Sequence, residues 1–257
     1  MDQEAMGRAF GLTGKRALIT GGGSGLGLAI AQCMVAAGAR VALAGRRREV
    51  LLEACAQLGP QAEPFVYDVT DTDGAPAFVA RVAETLGGLD SLVNNAGRHC
   101  KKPFTEVSMA DLQNVLDVHL FGSFALSQAA VPYLRKAGGG SILMISSESA
   151  LMGLTNVTAY SAAKAAMLGL VKTMSGDLSA EGIRVNAIVP GFIETPMFHE
   201  ATDKDPARQQ KILGHTPMHR YGVPADIGWA AVYLCSQAAS FVTGTQLVVD
   251  GGCCIGF

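Results

Sequence analysis

Charged side chains are scarce in this sequence. Asp, Glu, Lys and Arg make up 16% of its 257 residues, whereas apolar residues make up 49%. A chain of this composition buries much of its length in strands, helix faces or subunit contacts, which argues against extended disorder. The net charge of −2 leaves no basic excess, and the clusters 46–48 and 101–102 are too short to indicate nucleic-acid binding. We therefore expect a folded protein whose ligand is not a nucleic acid.

Long apolar runs are also lacking. No uninterrupted apolar stretch approaches the roughly 18 residues that a membrane span requires. The acidic start, residues 1–6, has neither the basic beginning nor the apolar centre of a signal peptide. The six cysteines show no Cys-x-x-Cys pair and no His/Cys spacing typical of metal ligands. We expect a soluble, cytoplasmic protein with no membrane partner, no disulfide framework and no metal site.

Apolar segments alternate with helix-forming segments along the whole chain. Seven short apolar runs predict β-strands at 16–20, 41–44, 65–67, 91–93, 142–145, 183–189 and 247–249. Helices are predicted between them, among others at 28–37, 49–58, 109–126 and 160–171. This alternation is typical of an α/β protein with a doubly wound parallel sheet. The sequence therefore predicts one Rossmann-type domain of seven strands flanked by helices over residues 1–257.

A glycine-rich segment joins the first predicted strand to the first predicted helix. Free backbone N–H groups and the helix dipole both favour an anion at such a junction, and phosphate is the expected one. A flexible glycine loop without a ligand is the alternative, which the position between strand and helix disfavours. The candidate phosphate ligands are Gly21, Ser24, Gly25, Leu26 and Gly27.

The turn after the second predicted strand is basic. At this point of a dinucleotide-binding fold an acidic residue binds the ribose 2′-hydroxyl of NAD, whereas an arginine accepts the 2′-phosphate of NADP. The turn has no acid and three arginines, so we predict NADP(H) as the cofactor, held by Arg46 first and Arg47 second. A solvated basic turn that opens the next helix is the alternative.

Polar residues follow the third and fourth predicted strands, on the sheet edge where the cofactor is expected. Asp68 can accept a hydrogen bond from an adenine amino group, and Asn94 can cross-link neighbouring strands. Plain turn formation by Asp and Asn is the alternative. The further cofactor candidates at these strand ends are Val69, Asn95, Ala96 and Gly97.

The segment 147–164 carries the side chains best suited to proton chemistry. Tyr160 and Lys164 are four residues apart in a predicted helix, so they share one face. The ammonium favours phenolate, which would let Tyr160 exchange a proton with a substrate hydroxyl. Ser147 follows the strand at 142–145 and would converge on them, because ligands bind beyond the carboxyl ends of such strands. A solvated helix face is the alternative for the pair taken alone.

Taken together, these motifs resemble the short-chain dehydrogenase/reductase family over about residues 12–252. The family's order and spacing are matched by Thr20-Gly21-x-x-x-Gly25-x-Gly27, Asn94-Asn95-Ala96-Gly97, Ser147, Tyr160-x-x-x-Lys164 and Pro190-Gly191 with Thr195. The resemblance implies a homotetrameric enzyme in which Tyr160 is the acid/base. It implies that Lys164 lowers the pKa of that tyrosine and holds the nicotinamide ribose, while Ser147 positions the substrate oxygen. It also implies that the nicotinamide carboxamide lies against the Pro190-Gly191 turn, bound by the Ile193 backbone and the Thr195 hydroxyl.

One position departs from the family's pattern. The family usually carries a catalytic asparagine in the helix after Asn-Asn-Ala-Gly, where it helps to hold a water of a proton relay, and His119 stands at that position here. A neutral histidine offers one donor and one acceptor, so His119 would keep the relay and make it sensitive to pH. The alternative is that the relay is rerouted or impaired.

The substrate is indicated by fewer residues. Arg98, in the basic segment 98–102 directly after Asn-Asn-Ala-Gly, suits a carboxylate, and Ser149 is a second candidate. Residues 192–220 are predicted to form a lid. The segments 10–15 and 216–222 resemble the gluconate 5-dehydrogenase and sugar-acid dehydrogenase branch, which implies interconversion of a secondary alcohol and a ketone on a small hydroxylated substrate. Reduction of 3-oxoacyl thioesters is one alternative, and a catalytically weak nucleotide-binding protein is another.

Overall fold

Seven parallel strands form one sheet within residues 2–203 and 205–255, which the computed structural model describes. The strands are β1 Arg16–Thr20, β2 Arg40–Gly45, β3 Ala62–Val66, β4 Ser91–Asn94, β5 Gly140–Ile145, β6 Ile183–Pro190 and β7 Gln246–Val249. Their order in the sheet is β3-β2-β1-β4-β5-β6-β7. All seven predicted strands are present, which confirms the α/β sheet, although β3 lies earlier in the chain than the run 65–67.

Helices cover both faces of this sheet. Within the described residues they are α1 Gln3–Phe10, α2 Gly25–Ala36, α3 Arg48–Leu58, α4 Ala75–Leu86, α5 Met109–Leu116, α6 Gly122–Lys136, α7 Thr158–Leu178, α8 Pro196–Thr202, α9 Pro206–His215 and α10 Pro224–Cys235. Apolar residues of α4, α6 and α7 pack in one core, and those of α2, α3 and α10 pack in the other. The central strands are apolar on both sides because each side faces one of these cores.

The direction of winding reverses between β1 and β4, so the carboxyl ends of these two strands open toward a shared crevice. Thr20, the last residue of β1, is buried and donates its hydroxyl hydrogen to the Val93 carbonyl at 3.3 Å. The same hydroxyl accepts from the backbone N–H groups of Asn95 and Ala96, each at 3.0 Å. Thr20 therefore fastens the Asn-Asn-Ala-Gly turn to the end of β1.

The two asparagines of that turn have different partners. Asn95 Nδ2 donates to the carbonyls of Thr20 at 2.9 Å and Gly21 at 3.3 Å, so this residue cross-links the ends of β1 and β4. Asn94 Nδ2 instead donates to Ser127 Oγ on α6 at 3.0 Å. The cross-link that the sequence predicts for Asn94 is thus made by its neighbour, because alternate residues of a strand point to opposite faces.

The segment predicted as one helix over 109–126 is interrupted. A π-helical turn, Asp117–Phe121, separates α5 from α6, and His119 lies at its centre. Such single-turn bulges are frequent at functional sites, because they redirect side chains without ending the helix. Here the bulge turns His119 into the interior, where 1% of its surface is exposed.

Among the described helices, none is both long and apolar enough to cross a membrane.

We predict that Thr20→Val lowers the free energy of unfolding by about 1–3 kcal/mol, because it preserves shape but leaves two backbone N–H groups without their acceptor. Urea unfolding at neutral pH measures this loss. Thr85→Val is the matched control, since Thr85 is exposed and its hydroxyl bonds only to the Arg81 carbonyl of the same helix. The control should change stability by less than about 0.5 kcal/mol. Equal losses in the two variants would contradict this role for Thr20.

Candidate active site

Ser147, Tyr160 and Lys164 meet at the carboxyl end of β5. Ser147 lies two residues beyond the strand, and Tyr160 and Lys164 lie in the first two turns of α7. Lys164 is 3% exposed; its Nζ donates to the Ile145 carbonyl at 2.6 Å and lies 5.5 Å from the centroid of the Tyr160 ring. Ser146 Oγ donates to the Lys164 carbonyl at 2.9 Å. These two hydrogen bonds hold α7 against the strand end, so the three predicted side chains converge.

The electrostatics of this group are governed by burial. Burial raises the pKa of the Tyr160 phenol, a hydrogen bond with Ser147 opposes this, and the nearby Glu148 carboxyl raises it further. Burial also lowers the pKa of Lys164 to about 7. The sequence predicts the opposite direction for the tyrosine, because residue spacing shows the neighbouring cation but not the loss of water. The structure thus favours a protonated phenol, which can donate a proton.

His119 packs against the ring of Tyr160. Its ring meets the Tyr160 ring edge-on, with centroids 5.4 Å apart, and its Nε2 lies 3.1 Å from the Arg98 nitrogen and 2.9 Å from the Arg98 oxygen. Which of these two bonds forms depends on the tautomer. Its Nδ1 is buried and has no partner among the described residues. Gly97 is required beside it, since a Cβ at that position would lie 2.6 Å from His119 Cε1.

Burial and the charge of Lys164 lower the pKa of His119 to about 3, although a hydrogen bond from its ring N–H to the Arg98 carbonyl opposes this shift. The imidazole is therefore neutral at working pH. The sequence suggests that His119 makes the proton relay sensitive to pH. Its environment does not support this, because the ring does not change charge near neutral pH.

The glycine-rich turn fits a phosphate group. Ser24 is the N-cap of α2, but its side chain makes no capping hydrogen bond, so the first N–H groups of that twelve-residue helix have no side-chain acceptor. Gly27 must be glycine, because a Cβ there would lie 2.2 Å from the Gly21 oxygen. The remaining candidates, Gly25 and Leu26, form the first turn of the same helix. These residues could hold the pyrophosphate of a dinucleotide.

The residues predicted around the adenosine lie at the ends of β2 and β3. Arg46 and Arg47 are exposed, and Arg46 Nη1 lies 3.9 Å from Asp68 Oδ2. Asp68 Oδ1 also accepts from the backbone and hydroxyl of Thr70. Val69 has its side chain in the core, so only its backbone is available to a ligand. The two arginines and the aspartate therefore face the same edge of the sheet.

The backbone amides of Asn95 and Ala96 are occupied by Thr20, as described above, so those two residues shape the crevice rather than offer it free donors. Pro190 ends β6, and Gly191 follows it with its N–H bonded to the Val249 carbonyl. Ile193 is buried and pairs with Gly222 in an isolated parallel bridge. Thr195 is the N-cap of α8 and accepts from the Phe198 N–H at 3.2 Å, which leaves its hydroxyl hydrogen free to donate.

The two predicted substrate residues differ in exposure. Arg98 is exposed at the start of the loop after Gly97. Ser149 is buried, donates its backbone N–H to Ser147 Oγ at 3.2 Å, and has no partner for its own hydroxyl among the described residues.

The predicted lid segment forms α8 and α9. Arg208 of α9 is one of the positive charges that lower the pKa of His99, so these two side chains are electrostatic neighbours.

Two side chains of this site have no role predicted from the sequence. His99 stacks on Tyr160, with ring centroids 4.5 Å apart and an angle of 23° between the planes. Glu148, directly after Ser147, is 4% exposed, and its Oε2 has no partner among the described residues. Burial and the nearby Asp250 raise its pKa to about 8. The adjacency of Glu148 to Ser147 and of His99 to Arg98 is visible in the sequence, but burial and stacking are not.

Throughout residues 2–203 and 205–255 there is no group of three His, Cys, Asp or Glu side chains that could bind a metal ion.

Known proteins resemble this chain over nearly its whole length. The family model described as Enoyl-(Acyl carrier protein) reductase matches residues 21–254. The 7alpha-hydroxysteroid dehydrogenase of Escherichia coli (strain K12) is 41% identical over 244 residues, which cover 94% of this chain and 94% of that protein. The 3-oxoacyl-[acyl-carrier-protein] reductase FabG of Thermotoga maritima is 36% identical over 244 residues, which cover 94% of this chain and 98% of that protein.

Solved structures agree in fold. A gluconate 5-dehydrogenase from Burkholderia cenocepacia J2315, in complex with NADP and tartrate, superposes with a TM-score of 0.92 at 32% identity, covering 96% of this chain and 98% of that chain. A 7α-hydroxysteroid dehydrogenase complexed with NADH and 7-oxo glycochenodeoxycholic acid superposes with a TM-score of 0.92 at 40% identity, covering 98% of both chains. These relatives differ in substrate and in the cofactor bound.

The buried neutral state of His119 generates a stability prediction. An unfolded histidine takes up a proton near pH 6.5, whereas the folded one does so only near pH 3, so the unfolded state binds more protons between these values. Stability is therefore lost as the pH falls, by about 1.4 kcal/mol per pH unit once the unfolded histidine is protonated. Between pH 7 and pH 4.5 we expect the wild type to lose about 2 kcal/mol more than His119→Asn.

Urea unfolding at the two pH values measures the difference. His215→Asn, at an exposed position, is the control and should lose as much as the wild type. The prediction is wrong if His119→Asn and the wild type lose stability equally.

Proposed function

Because the chain belongs to the short-chain dehydrogenase/reductase family and is therefore an oxidoreductase, we propose that it interconverts a secondary alcohol and a ketone with NADP(H). The observation that carries this proposal is the convergence of Ser147, Tyr160 and the buried Lys164 in a protein that also has a glycine-rich turn suited to a phosphate. A protein that only bound nucleotides would have no need of this group, which argues against a catalytically weak binding protein.

The proposed chemistry assigns one task to each side chain. In the direction of reduction, Tyr160 donates its phenolic proton to the carbonyl oxygen of the substrate, and Ser147 donates a hydrogen bond to the same oxygen. Lys164 stabilises the phenolate that remains and contacts the nicotinamide ribose. NADPH, when bound, supplies the hydride that reaches the carbonyl carbon. The raised pKa of Tyr160 supports its role as the acid, since the phenol stays protonated until the substrate arrives.

We propose that His119 takes the place of the family's asparagine in this site. Its buried Nδ1 has no partner among the described residues and is an acceptor or donor available to a water molecule. The charge of Lys164 lowers the pKa of His119, so the two groups are electrostatic neighbours. A neutral His119 would hold a relay water between Lys164 and solvent at every working pH.

NADP is the proposed cofactor in preference to NAD. Arg46 and Arg47 are exposed at the end of β2, where a 2′-phosphate would lie, and no acid stands in that turn. Asp68 faces Arg46 and would contact the adenine edge. The gluconate 5-dehydrogenase that resembles this chain binds NADP, whereas the hydroxysteroid dehydrogenase binds NADH.

The proposed substrate is a sugar acid or another small hydroxylated molecule. Exposed Arg98 would bind a carboxylate, and the unpartnered hydroxyl of Ser149 would bind a substrate oxygen. A 3-oxoacyl thioester is the second candidate, because a 3-oxoacyl carrier-protein reductase is among the relatives. The helices α8 and α9 would form the lid over either substrate.

We further propose a homotetramer that works in the cytoplasm. Several large apolar side chains are exposed, among them Phe104 at 75%, Met109 at 78%, Trp229 at 54% and Phe241 at 103%. Subunit contacts would cover such side chains. The six cysteines are unpaired, which suits a reducing compartment.

The function is tested by following NADPH oxidation by the purified protein with keto-sugar acids, simple ketones and an acetoacetyl thioester, with NADH in parallel. We expect turnover of a keto-sugar acid, with NADPH preferred. Tyr160→Phe should lower kcat/KM at least about 100-fold, because the proton donor is lost. Tyr133→Phe is the matched control and should retain activity, since Tyr133 lies on α6 away from the site.

Activity with the thioester alone would support the proposed carbonyl reduction but would contradict the proposed sugar-acid substrate. NADPH binding without turnover of any compound would contradict the proposed function.

A further inference from the structure

His99 occupies a distinctive position in the active site. Three groups surround the Tyr160 ring: His99 covers its face, His119 meets it edge-on, and Lys164 lies 5.5 Å from its centroid. His119 and Lys164 are buried, whereas His99 is exposed. Of these three groups, His99 is the one whose side chain is exposed to an incoming substrate.

The loop that carries His99 is held on both sides. On one side, Arg98 is bonded through its backbone to His119 Nε2. On the other side, the Lys102 N–H donates to the Asn156 carbonyl at 2.9 Å. The stacked position of the imidazole is therefore supported by the backbone as well as by the ring contact itself.

The ring nitrogens of His99 have no hydrogen-bond partner within residues 2–203 and 205–255. One face of the exposed ring lies against Tyr160 and is shielded from water. This partial desolvation, followed by the positive charges of Lys164, Arg208 and Lys101, lowers the pKa of His99, so the imidazole is neutral at working pH. A neutral imidazole has one donor and one acceptor, which matches a hydroxyl group, whereas an anion would need donors only. The free polar groups of His99 thus suit a hydroxyl better than a carboxylate.

We propose that His99 is a specificity-determining residue that binds a substrate hydroxyl on the carbon next to the reacting carbonyl. The proposal places the neighbouring carbon of a carbonyl bonded to the Tyr160 hydroxyl on the side of the ring that His99 covers. The proposal rests on the proposed function, because it requires Tyr160 to bind the carbonyl. The substrate class that it selects is the α-hydroxy ketone, in contrast to ketones without that hydroxyl.

The test compares 3-hydroxybutan-2-one with butan-2-one, two ketones that differ by this one hydroxyl, using the protein with NADPH. The ratio of their kcat/KM values reports the hydroxyl contact independently of overall activity. His99→Phe retains an aromatic ring against Tyr160 and removes both hydrogen-bonding atoms. His99→Gln retains a donor and an acceptor and removes the aromatic ring.

We expect the wild type to prefer the hydroxylated ketone, and His99→Phe to lower that preference about tenfold, as loss of one hydrogen bond does. The loss should appear mainly in KM, and His99→Gln should restore part of the preference. An unchanged ratio in His99→Phe would overturn the proposal and leave His99 as packing for Tyr160.

A second readout separates failure of this proposal from failure of the proposed function. The imidazole Cε1–H signal of His99, assigned by its absence in His99→Phe, is followed by NMR as each ketone is added with NADPH. A shift with 3-hydroxybutan-2-one and none with butan-2-one supports the contact, even if neither ketone is reduced. The same response to both ketones, or no response, overturns it.

Discussion

The buried ammonium of Lys164 is the constraint on which the active site depends. Removing a charged group from water is costly unless hydrogen bonds and nearby dipoles replace the solvent. The Ile145 carbonyl, at the very end of β5, supplies one such bond, and the Tyr160 ring lies beside the cation. Because the carbonyl belongs to the strand and the ammonium to α7, this requirement fixes the helix against the sheet edge. Ser147, two residues beyond that carbonyl, is placed by the same contact.

Burial and neighbouring charges shift the pKa values of the polar groups around Lys164 toward their neutral forms. The imidazoles of His99 and His119 have lowered pKa values, first because their surroundings desolvate the imidazolium and second because Lys164 is positively charged. The Glu148 carboxyl has a raised pKa because burial and Asp250 both oppose its ionisation. The site is therefore a set of neutral hydrogen-bonding groups around one ammonium, which suits proton transfer to a substrate oxygen and the binding of hydroxyls.

Much of the fold could be predicted because buried parallel strands consist of consecutive apolar residues, which are visible in the sequence. The strand β1, for example, has the bounds that the sequence predicts at both ends. The convergence of Ser147, Tyr160 and Lys164 was equally predictable from helical spacing and strand ends. The π-helical turn at His119 was not, since a change of backbone register leaves no periodic signal. The stacking of His99 and the direction of the Tyr160 pKa shift depend on how segments far apart in sequence bury one another. The residue pattern within one segment therefore predicts neither of them.

If the Lys164 ammonium supports the phenolate that Tyr160 leaves when it gives up its proton, activity must depend on the charge of that lysine. The most direct measurement is kcat/KM for reduction of a ketone substrate by NADPH from about pH 6 to about pH 9, with the wild type and Lys164→Met. Because the pKa of Lys164 is about 7, we expect kcat/KM of the wild type to fall as the pH rises through this value, by up to about tenfold per pH unit. Lys164→Met should be slower at low pH and should lack this fall. A Lys164→Met protein with the activity and the pH profile of the wild type would contradict the role assigned to the lysine.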